Sequence, residues 1–377
     1  MRTRVAILGA ALIGLAAGYF LASPHVDAQQ NAPFRMAAVP SERGGQDMFG
    51  PYEIVADWPK DLSTLPNHQA WTFGAGQSVF AESADRVYVL DRGELPNIMR
   101  PRTKKLDDLG PSLSFPIGRL PWRDATSASL PGNGGTGQLA EEGIQAWERA
   151  GNKMGVDARW EHCILVFNGK GELVESWTQW DSMLQRPHFV AISPYDPQKH
   201  VWIVDDHKHA IHEFSNDGKT KIRTIGTYGV PGADDKHFNR PTFMDWFPDG
   251  SFVVADGYNG TRVVKFDKNG KFLDQWRFGD NPSDVHLFHI MSDGYLWAAD
   301  RGTNKVLKYD LNGHFMYSWG TWGDFAGGMW GTHGFSVDPD GNFYVAEVDN
   351  GGAHKYTPRQ GANPAYMVGK PLRVAWK

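Results

Sequence analysis

Short hydrophobic runs separated by turn residues recur along most of this chain. Residues 249–276 show the pattern in full: one run ends at Asp256, a second at Phe266 and a third at Trp276, with an Asn-Gly pair between the last two. Runs of this length, rich in Val and Phe, are typical of β-strands, and Asn-Gly is a strong signal for a two-residue hairpin. The stretch therefore predicts a strand, a short loop, a strand, a tight turn and a strand.

The same unit can be counted five times. In each copy the second strand ends in an acidic residue, and these residues are Asp91, Asp205, Asp256, Asp300 and Glu347. The last four acids are 44 to 51 residues apart. A period of this length with about four strands per unit is typical of a β-propeller. The pattern predicts an all-β fold, and the strand-like segments 52–56 and 372–376 are candidates for closing the ring, which leaves five or six blades.

The first copy carries a long insertion. Asp91 and the aromatic residue that ends its third strand, Phe167, are 76 positions apart, whereas the interval is 9 or 10 in the other copies. Roughly 67 extra residues therefore occupy about 93–160, and loops this long in compact folds are lids, binding loops or disordered segments. We expect a lid-like insertion.

The N-terminal region reads as a targeting segment. Arg2 and Arg4 precede an apolar run that ends at Ala22, and Ala28 follows at a candidate cleavage point. We predict a signal peptide over 1–28, a flexible leader over 29–50 and the propeller domain over 51–377. A secreted or periplasmic protein is expected, with an uncleaved membrane anchor as the alternative because the apolar run is long.

The charge limits the classes of expected partner, and the cysteine content excludes an intrachain disulfide. The net charge is −5 and no basic block is present, so neither nucleic acid nor, after signal cleavage, a membrane is an expected partner. The single cysteine, Cys163, forms no intrachain disulfide. It lies in a strand-like run, which favours a buried thiol over a nucleophile.

Three histidines share one position in the repeat. His286 and His333 are seven residues before an Asp-Gly turn, and His188 is eight residues before Asp196. Thr242 and Ser78 occupy the slot in the other two copies. Equivalent positions in a propeller lie on a ring around its axis, and three neutral imidazoles suit Zn²⁺ or another first-row divalent metal. The alternative is that each is a satisfied polar residue at a strand start.

Other histidines show no such register. His207, His209 and His212 are expected on the surface. His289, which is close to His286 in sequence, is expected to contact that metal ligand rather than the metal itself. The sequence contains no nucleophile elbow, phosphate-binding loop, dinucleotide fingerprint, haem attachment motif or metalloprotease helix motif.

Loops between second and third strands emerge on the face where the innermost strands begin. Arg92, Tyr258 and Arg301 lie in such loops, as does the insertion. An arginine there could bind a substrate carboxylate, and a tyrosine near a metal could act as a general base. The alternatives are an Arg–Asp bridge for each arginine and a rim position for Tyr258.

The repeats resemble NHL repeats, and their arrangement resembles the peptidyl-α-hydroxyglycine α-amidating lyase domain over about 52–377, apart from the insertion. The most specific match is His237-Phe238-x-x-Pro241-Thr242 followed by the segment 256–266, DGYNGTRVVKF. The resemblance implies a six-bladed propeller with zinc held by His188, His286 and His333. It further implies Arg92 as the active-site arginine and Tyr258 as the active-site tyrosine.

Three features depart from that family. The segment around His333 lacks the family's preceding Met and following Asp, so a structural Ca²⁺ is doubtful. His286 and His333 also lie in successive copies, which leaves the family's fifth blade without a counterpart. The insertion is foreign to the pattern as well.

We therefore expect an exported, zinc-dependent carbon–nitrogen lyase that acts on a small or peptide substrate with an anionic group. Tyr258, Arg92 and Arg301 are the candidate catalytic residues. The alternatives are a non-catalytic NHL propeller that binds a protein or glycan, and a metal-dependent hydrolase or lactonase.

Overall fold

The computed structural model describes residues 45–97, 104–105, 114–115, 160–277, 287–323 and 325–376. Arg43–Lys377 form one compact unit. The predicted signal peptide, most of the predicted leader, most of the insertion and His286 lie outside the described residues. No described helix is long and apolar enough to cross a membrane.

The described chain forms five four-stranded antiparallel blades, and each hydrophobic run of the repeat forms one strand. In chain order the blades are β4 Gly76–Ser83, β5 Arg86–Asp91, β9 Ile164–Phe167 and β10 Leu173–Ser176; β11 Pro187–Ile192, β12 Val201–Asp205, β13 Ala210–Phe214 and β14 Lys221–Ile225; β15 Phe243–Trp246, β16 Phe252–Asp256, β17 Arg262–Phe266 and β18 Phe272–Trp276; β19 Phe288–Ile290, β20 Leu296–Asp300, β21 Lys305–Tyr309 and β22 Phe315–Trp319; and β23 Thr332–Val337, β24 Phe343–Glu347 and β25 Ala353–Pro358, completed by β2 Tyr52–Ile54.

Shorter elements flank the blades. β1 Gly45–Asp47 adds to β22 in parallel, β3 Trp71–Phe73 pairs with β6 Glu94–Pro96, and β7 Lys104–Lys105 pairs with β8 Ser114–Phe115. Within the described residues, 3₁₀ turns cover Leu62–Thr64, Thr178–Met183 and Pro364–Tyr366.

The propeller and its five countable repeats are confirmed, whereas the six-blade count implied by the resemblance is wrong for the described chain. The blades close into a ring, since the inner strand β4 contacts both β11 and β23. Closure uses β2 alone: the C-terminal segment 371–376 is not a strand. Instead, Arg373 donates to the carbonyl of Ala81, and the Trp376 indole donates to that of Ser193 at 3.0 Å.

Aromatic residues fill the gaps between neighbouring blades, where two sheets pack face to face. Of the tryptophans that end fourth strands, Trp177 and Trp319 are buried as packing residues, while Trp276 is 39% exposed.

In the first three blades the repeated acid ties the blade to the segment that leads into its inner strand. Asp205 accepts hydrogen bonds from the backbone N–H groups of Gln185 and Arg186, at 2.7 and 3.1 Å. Asp256 accepts one from Asn239 at 2.7 Å. Burial raises the pKa of both carboxyl groups to about 6, although these hydrogen bonds oppose the shift. The acid thus fixes where the inner strand starts.

Candidate active site

The slot that holds the histidines lies in a β-bulge. In β11 the pairing with β12 shifts between Pro187 and Phe189, and in β23 the pairing with β24 shifts between Thr332 and Phe335. The extra residue of a bulge breaks the alternation of side chains, which re-aims a side chain. His188 and His333 occupy these bulges. In β4 the bulged residue is Gln77, so the expected assignment of Ser78 to this slot is off by one.

His188 and His333 meet near the axis, with ring centroids 4.9 Å apart. The His188 Nδ1 lies 2.8 Å from the carbonyl of Thr242, and the His333 Nδ1 lies 2.6 Å from the carbonyl of Gln77. Because a carbonyl only accepts, each Nδ1 carries the proton. Each ring is thus anchored to the slot residue of the adjoining blade, and a neutral ring has its lone pair on Nε2.

Tyr258 completes this group from the loop after β16. Its hydroxyl lies 3.0 Å from the His188 Nε2 and donates to it, since that nitrogen carries the lone pair. Burial raises the pKa of the Tyr258 phenol, while the nearby guanidinium groups of Arg186, Arg92 and Arg240 lower it. The phenol is therefore protonated at neutral pH in this arrangement.

Three guanidinium groups and one carboxylate adjoin Tyr258. The guanidinium carbons of Arg240 and Arg186 lie 4.5 and 5.9 Å from the centre of the Tyr258 ring. Asp206 is fully buried and lies 3.2 Å from Arg240 Nη2 and 3.6 Å from Arg186 Nε. Burial alone would raise the pKa of Asp206, but the surrounding cations hold it below its usual value. Among these four side chains around Tyr258, positive charge therefore exceeds negative charge.

The sequence analysis missed Arg186 and Arg240, although a signal was present. Each stands two residues before a slot residue, in Arg186-Pro187-His188 and Arg240-Pro241-Thr242. The repeated Arg-Pro pair places both guanidinium groups at equivalent positions on the same face.

The two predicted arginines lie in different surroundings. Arg92 is buried and donates to Gln77 Oε1 at 2.5 Å. The backbone carbonyl of the same Gln77 bonds His333 Nδ1. Arg301 is exposed and pairs with Asp349, Nη2 to Oδ1, at 2.5 Å. Within the described contacts Arg301 does not join the group around Tyr258, and the bridge to an Asp involves Asp349 rather than the neighbouring Asp300.

Of two expectations about other side chains, one differs from the structure and one agrees with it. His207, His209 and His212 are buried rather than on the surface. They lie in or beside the buried strand β13, and His207 Nε2 is 3.2 Å from Arg186 Nη1. Cys163 is buried as expected, and burial raises the pKa of its thiol well above the usual value.

His289 lies away from the His188–Tyr258 group. It lines a cavity of about 290 Å³ formed by the later halves of the inner strands and by Leu372. Burial lowers the pKa of His289 to about 4, so the ring is neutral at pH 7. This cavity is separate from the His188–Tyr258 group.

A second cluster of metal-ligating groups lies apart from His188 and His333. One ligand atom each from His68, Glu161 and His162 fall within 4.8 Å of one another. The described chain thus contains a His/Glu group that could hold a metal.

Curated proteins similar to this chain are amidating enzymes and an NHL protein. The chain is 32% identical over 132 residues to peptidyl-glycine α-amidating monooxygenase B of Xenopus laevis, covering 32% of this chain and 14% of that protein. It is 33% identical over 127 residues to a probable peptidyl-α-hydroxyglycine α-amidating lyase of Caenorhabditis elegans, covering 32% and 35%. Human NHL repeat-containing protein 3 is 25% identical over 171 residues, covering 41% and 48%.

The match therefore spans less than half the length of each of these relatives. No protein-family model matches the chain. A solved structure, Myxococcus xanthus glutaminyl cyclase, has a TM-score of 0.33 at 12% identity over 52% of this chain and 81% of that one, which is too low to inform fold or function.

Proposed function

We propose that this NHL-type β-propeller, which resembles the peptidyl-α-hydroxyglycine α-amidating lyases, is an exported metal-dependent lyase of that type. It would cleave the C–N bond of an α-hydroxyglycine-like peptide or small substrate that carries a carboxylate.

The observation that carries the proposal is the convergence of Tyr258, His188 and His333. The tyrosine hydroxyl is 3.0 Å from one imidazole, and the second imidazole ring is 4.9 Å from the first. These residues come from three blades, so packing alone does not require that they meet. Perturbed ionisable groups that gather in one place are typical of catalytic sites.

The donor set fits Zn²⁺ or another first-row divalent ion. His188 and His333 each bond a carbonyl through Nδ1, and this contact fixes the tautomer and orientation of metal-ligating histidines. Both would hold the ion through Nε2, with His286 as the third ligand expected from the repeat register. Such an ion, when bound, supplies Lewis acidity.

Tyr258 and the arginines have separate roles in this proposal. A cation on the His188 Nε2 would replace the hydrogen bond from Tyr258 and would lower the pKa of the phenol, so that as a phenolate Tyr258 could take the proton from the substrate hydroxyl. The C–O bond becomes a carbonyl as the C–N bond breaks, and the amide nitrogen takes up a proton. The products are an amide and glyoxylate, so no oxidant is needed. Arg92 orients the substrate carboxylate, and the positive charge of Arg186 and Arg240 favours an anion on this face.

The test is release of glyoxylate from a peptide ending in α-hydroxyglycine, with Tyr258→Phe as the variant. Loss of a general base typically costs about 10²- to 10⁴-fold in rate. Tyr366→Phe is the matched control, because Tyr366 is exposed on the outer surface at 45%. We expect wild type and Tyr366→Phe to release glyoxylate at equal rates and Tyr258→Phe to lose that activity.

Equal turnover by wild type and Tyr258→Phe would contradict the role of the tyrosine. No glyoxylate from metal-loaded protein would contradict this substrate class, and a protein without stoichiometric metal would favour the non-catalytic NHL propeller.

A further inference from the structure

The second cluster, formed by His68, Glu161 and His162, is built around the buried carboxylate of Glu94. Its Oε1 lies 2.9 Å from the His68 Nδ1 and 2.6 Å from the His162 Nδ1. The two imidazole rings are 4.6 Å apart and nearly perpendicular. Because a neutral imidazole that donates from Nδ1 keeps its lone pair on Nε2, both rings still offer a metal-ligating nitrogen.

The backbone around His162 is held rigidly. Asp181 accepts hydrogen bonds from the N–H groups of His162 and Cys163, at 2.9 and 3.0 Å. His162 has a φ of 61°, in the left-handed region that side chains rarely adopt. The ring is therefore presented by a fixed segment immediately before β9, with the exposed carboxylate of Glu161 beside it.

The chemistry of the set favours a first-row divalent cation. Two imidazoles and a carboxylate are a common ligand set for Zn²⁺, and a further carboxylate that bonds the ligating histidines is the usual supporting group. An all-oxygen set, as Ca²⁺ or Mg²⁺ prefers, is absent from this cluster as described. Glu94 is fully buried, so a cation beside the two rings would also compensate its charge.

We propose that His68, His162 and Glu161, supported by Glu94, bind a first-row divalent cation. The ligands come from the loop before β3 and from the segment before β9, while Glu94 lies in β6. A bound ion therefore cross-links the β3–β6 strand pair to the first blade. The site is separate from the His188–His333 group and does not depend on the proposed lyase activity.

The experiment counts Zn²⁺ in a background that lacks the central histidines. The His188→Ala, His333→Ala double variant is dialysed against Zn²⁺ and analysed for bound metal and for its thermal unfolding midpoint. We expect about one equivalent to remain bound, because the second site is intact, and Zn²⁺ to raise the midpoint.

Three further variants in that background locate the site. His68→Asn with His162→Asn should abolish both the bound Zn²⁺ and the rise in midpoint. Glu161→Gln changes an exposed side chain and leaves the core intact, and it should weaken Zn²⁺ binding. Glu94→Gln should weaken binding about 10- to 100-fold, as loss of a supporting carboxylate does.

His314→Asn is the matched control. His314 Nδ1 also lies 2.8 Å from a carboxylate, that of Asp310, but no second imidazole adjoins it in the described structure. Zn²⁺ binding should be unchanged in this variant. The proposal is overturned if the double-alanine background binds no Zn²⁺, or if Glu161→Gln, a change at an exposed side chain, binds Zn²⁺ as tightly as its parent.

Discussion

At the scale of single residues, the charge balance around Asp206 deserves a quantitative test because the residue is fully buried between two guanidinium groups. Asp206 faces both Arg186 and Arg240. Removal of one partner from a buried ion pair leaves the other charge uncompensated, which costs far more than the pair itself contributes.

Asp206→Ala is therefore expected to destabilise the protein by about 3 kcal/mol. The measurement is the free energy of unfolding in denaturant. Asp349→Ala is the control, because its partner Arg301 is 52% exposed on its side chain. Exposed pairs contribute about 0–1 kcal/mol, so the control should change little. Equal effects of the two substitutions would contradict the compensating role of Asp206.

The sequence could identify His188, His333, Tyr258 and Arg92 because each occupies a repeat position that a register can define. The structure places these four near one another, while their catalytic and metal-binding roles, and the position of His286, stay predictions. Asp206, by contrast, follows a repeated acid without being part of the repeat. Its burial depends on Arg186 and Arg240 from two different blades, which no local pattern in the sequence reveals.

At the scale of elements, the bulges determine which side chains face the axis. Simple strand alternation predicts that neighbouring residues point to opposite faces, so one extra residue shifts the slot. That is why spacing from a turn assigned Ser78 where the structure has Gln77. Strand existence and order were predictable from hydrophobic runs, whereas bulge position depends on how the inner strands approach one another.

Gly334 lies where β23 approaches β4 closely. A Cβ at this position would lie 2.7 Å from the Cα of Ser78 in β4. Because that atom belongs to the backbone, β4 and β23 would have to separate, and the bond from His333 Nδ1 to the Gln77 carbonyl would lengthen. Close packing of β23 against β4 therefore explains why a glycine follows His333.

Gly334→Ala is expected to cost about 1–3 kcal/mol of stability, as overpacking does. Thermal and denaturant unfolding measure the loss. Gly302→Ala is the control, because its Cβ would meet only a side-chain oxygen of Asp300, at 3.3 Å. A Gly334→Ala protein as stable as the control would show that β4 and β23 do not pack this tightly.

At the scale of the whole molecule, the ring closes through a segment that precedes the first blade in sequence. β2 pairs with β25, so the fifth blade takes its outer strand from the other end of the domain. The repeat period predicted a propeller, but it could not decide the blade number, because a closing strand carries no repeat signature. The candidate segment 372–376 shows the difficulty, since it is not a strand: Trp376 packs against Phe80 of β4, whereas Leu372 and Val374 are exposed.

Tyr52 shows how closure is stabilised. The side chain is 1% exposed, and its ring centroid lies 5.1 Å from Trp319 and 5.6 Å from Phe343. The hydroxyl accepts a hydrogen bond from the Val368 N–H at 2.9 Å. One residue of β2 therefore joins the fourth blade, the fifth blade and the C-terminal segment.

Two substitutions of Tyr52 separate packing from hydrogen bonding. Tyr52→Ala removes the ring and should cost about 3–5 kcal/mol, as large-to-small changes in a core do. Tyr52→Phe keeps the ring and loses only the acceptor for Val368, so about 1 kcal/mol is expected. Denaturant unfolding and susceptibility to protease measure both. If Tyr52→Ala were as stable as Tyr52→Phe, the ring contacts to Trp319 and Phe343 would contribute nothing, and β2 would not be the element that holds the propeller closed.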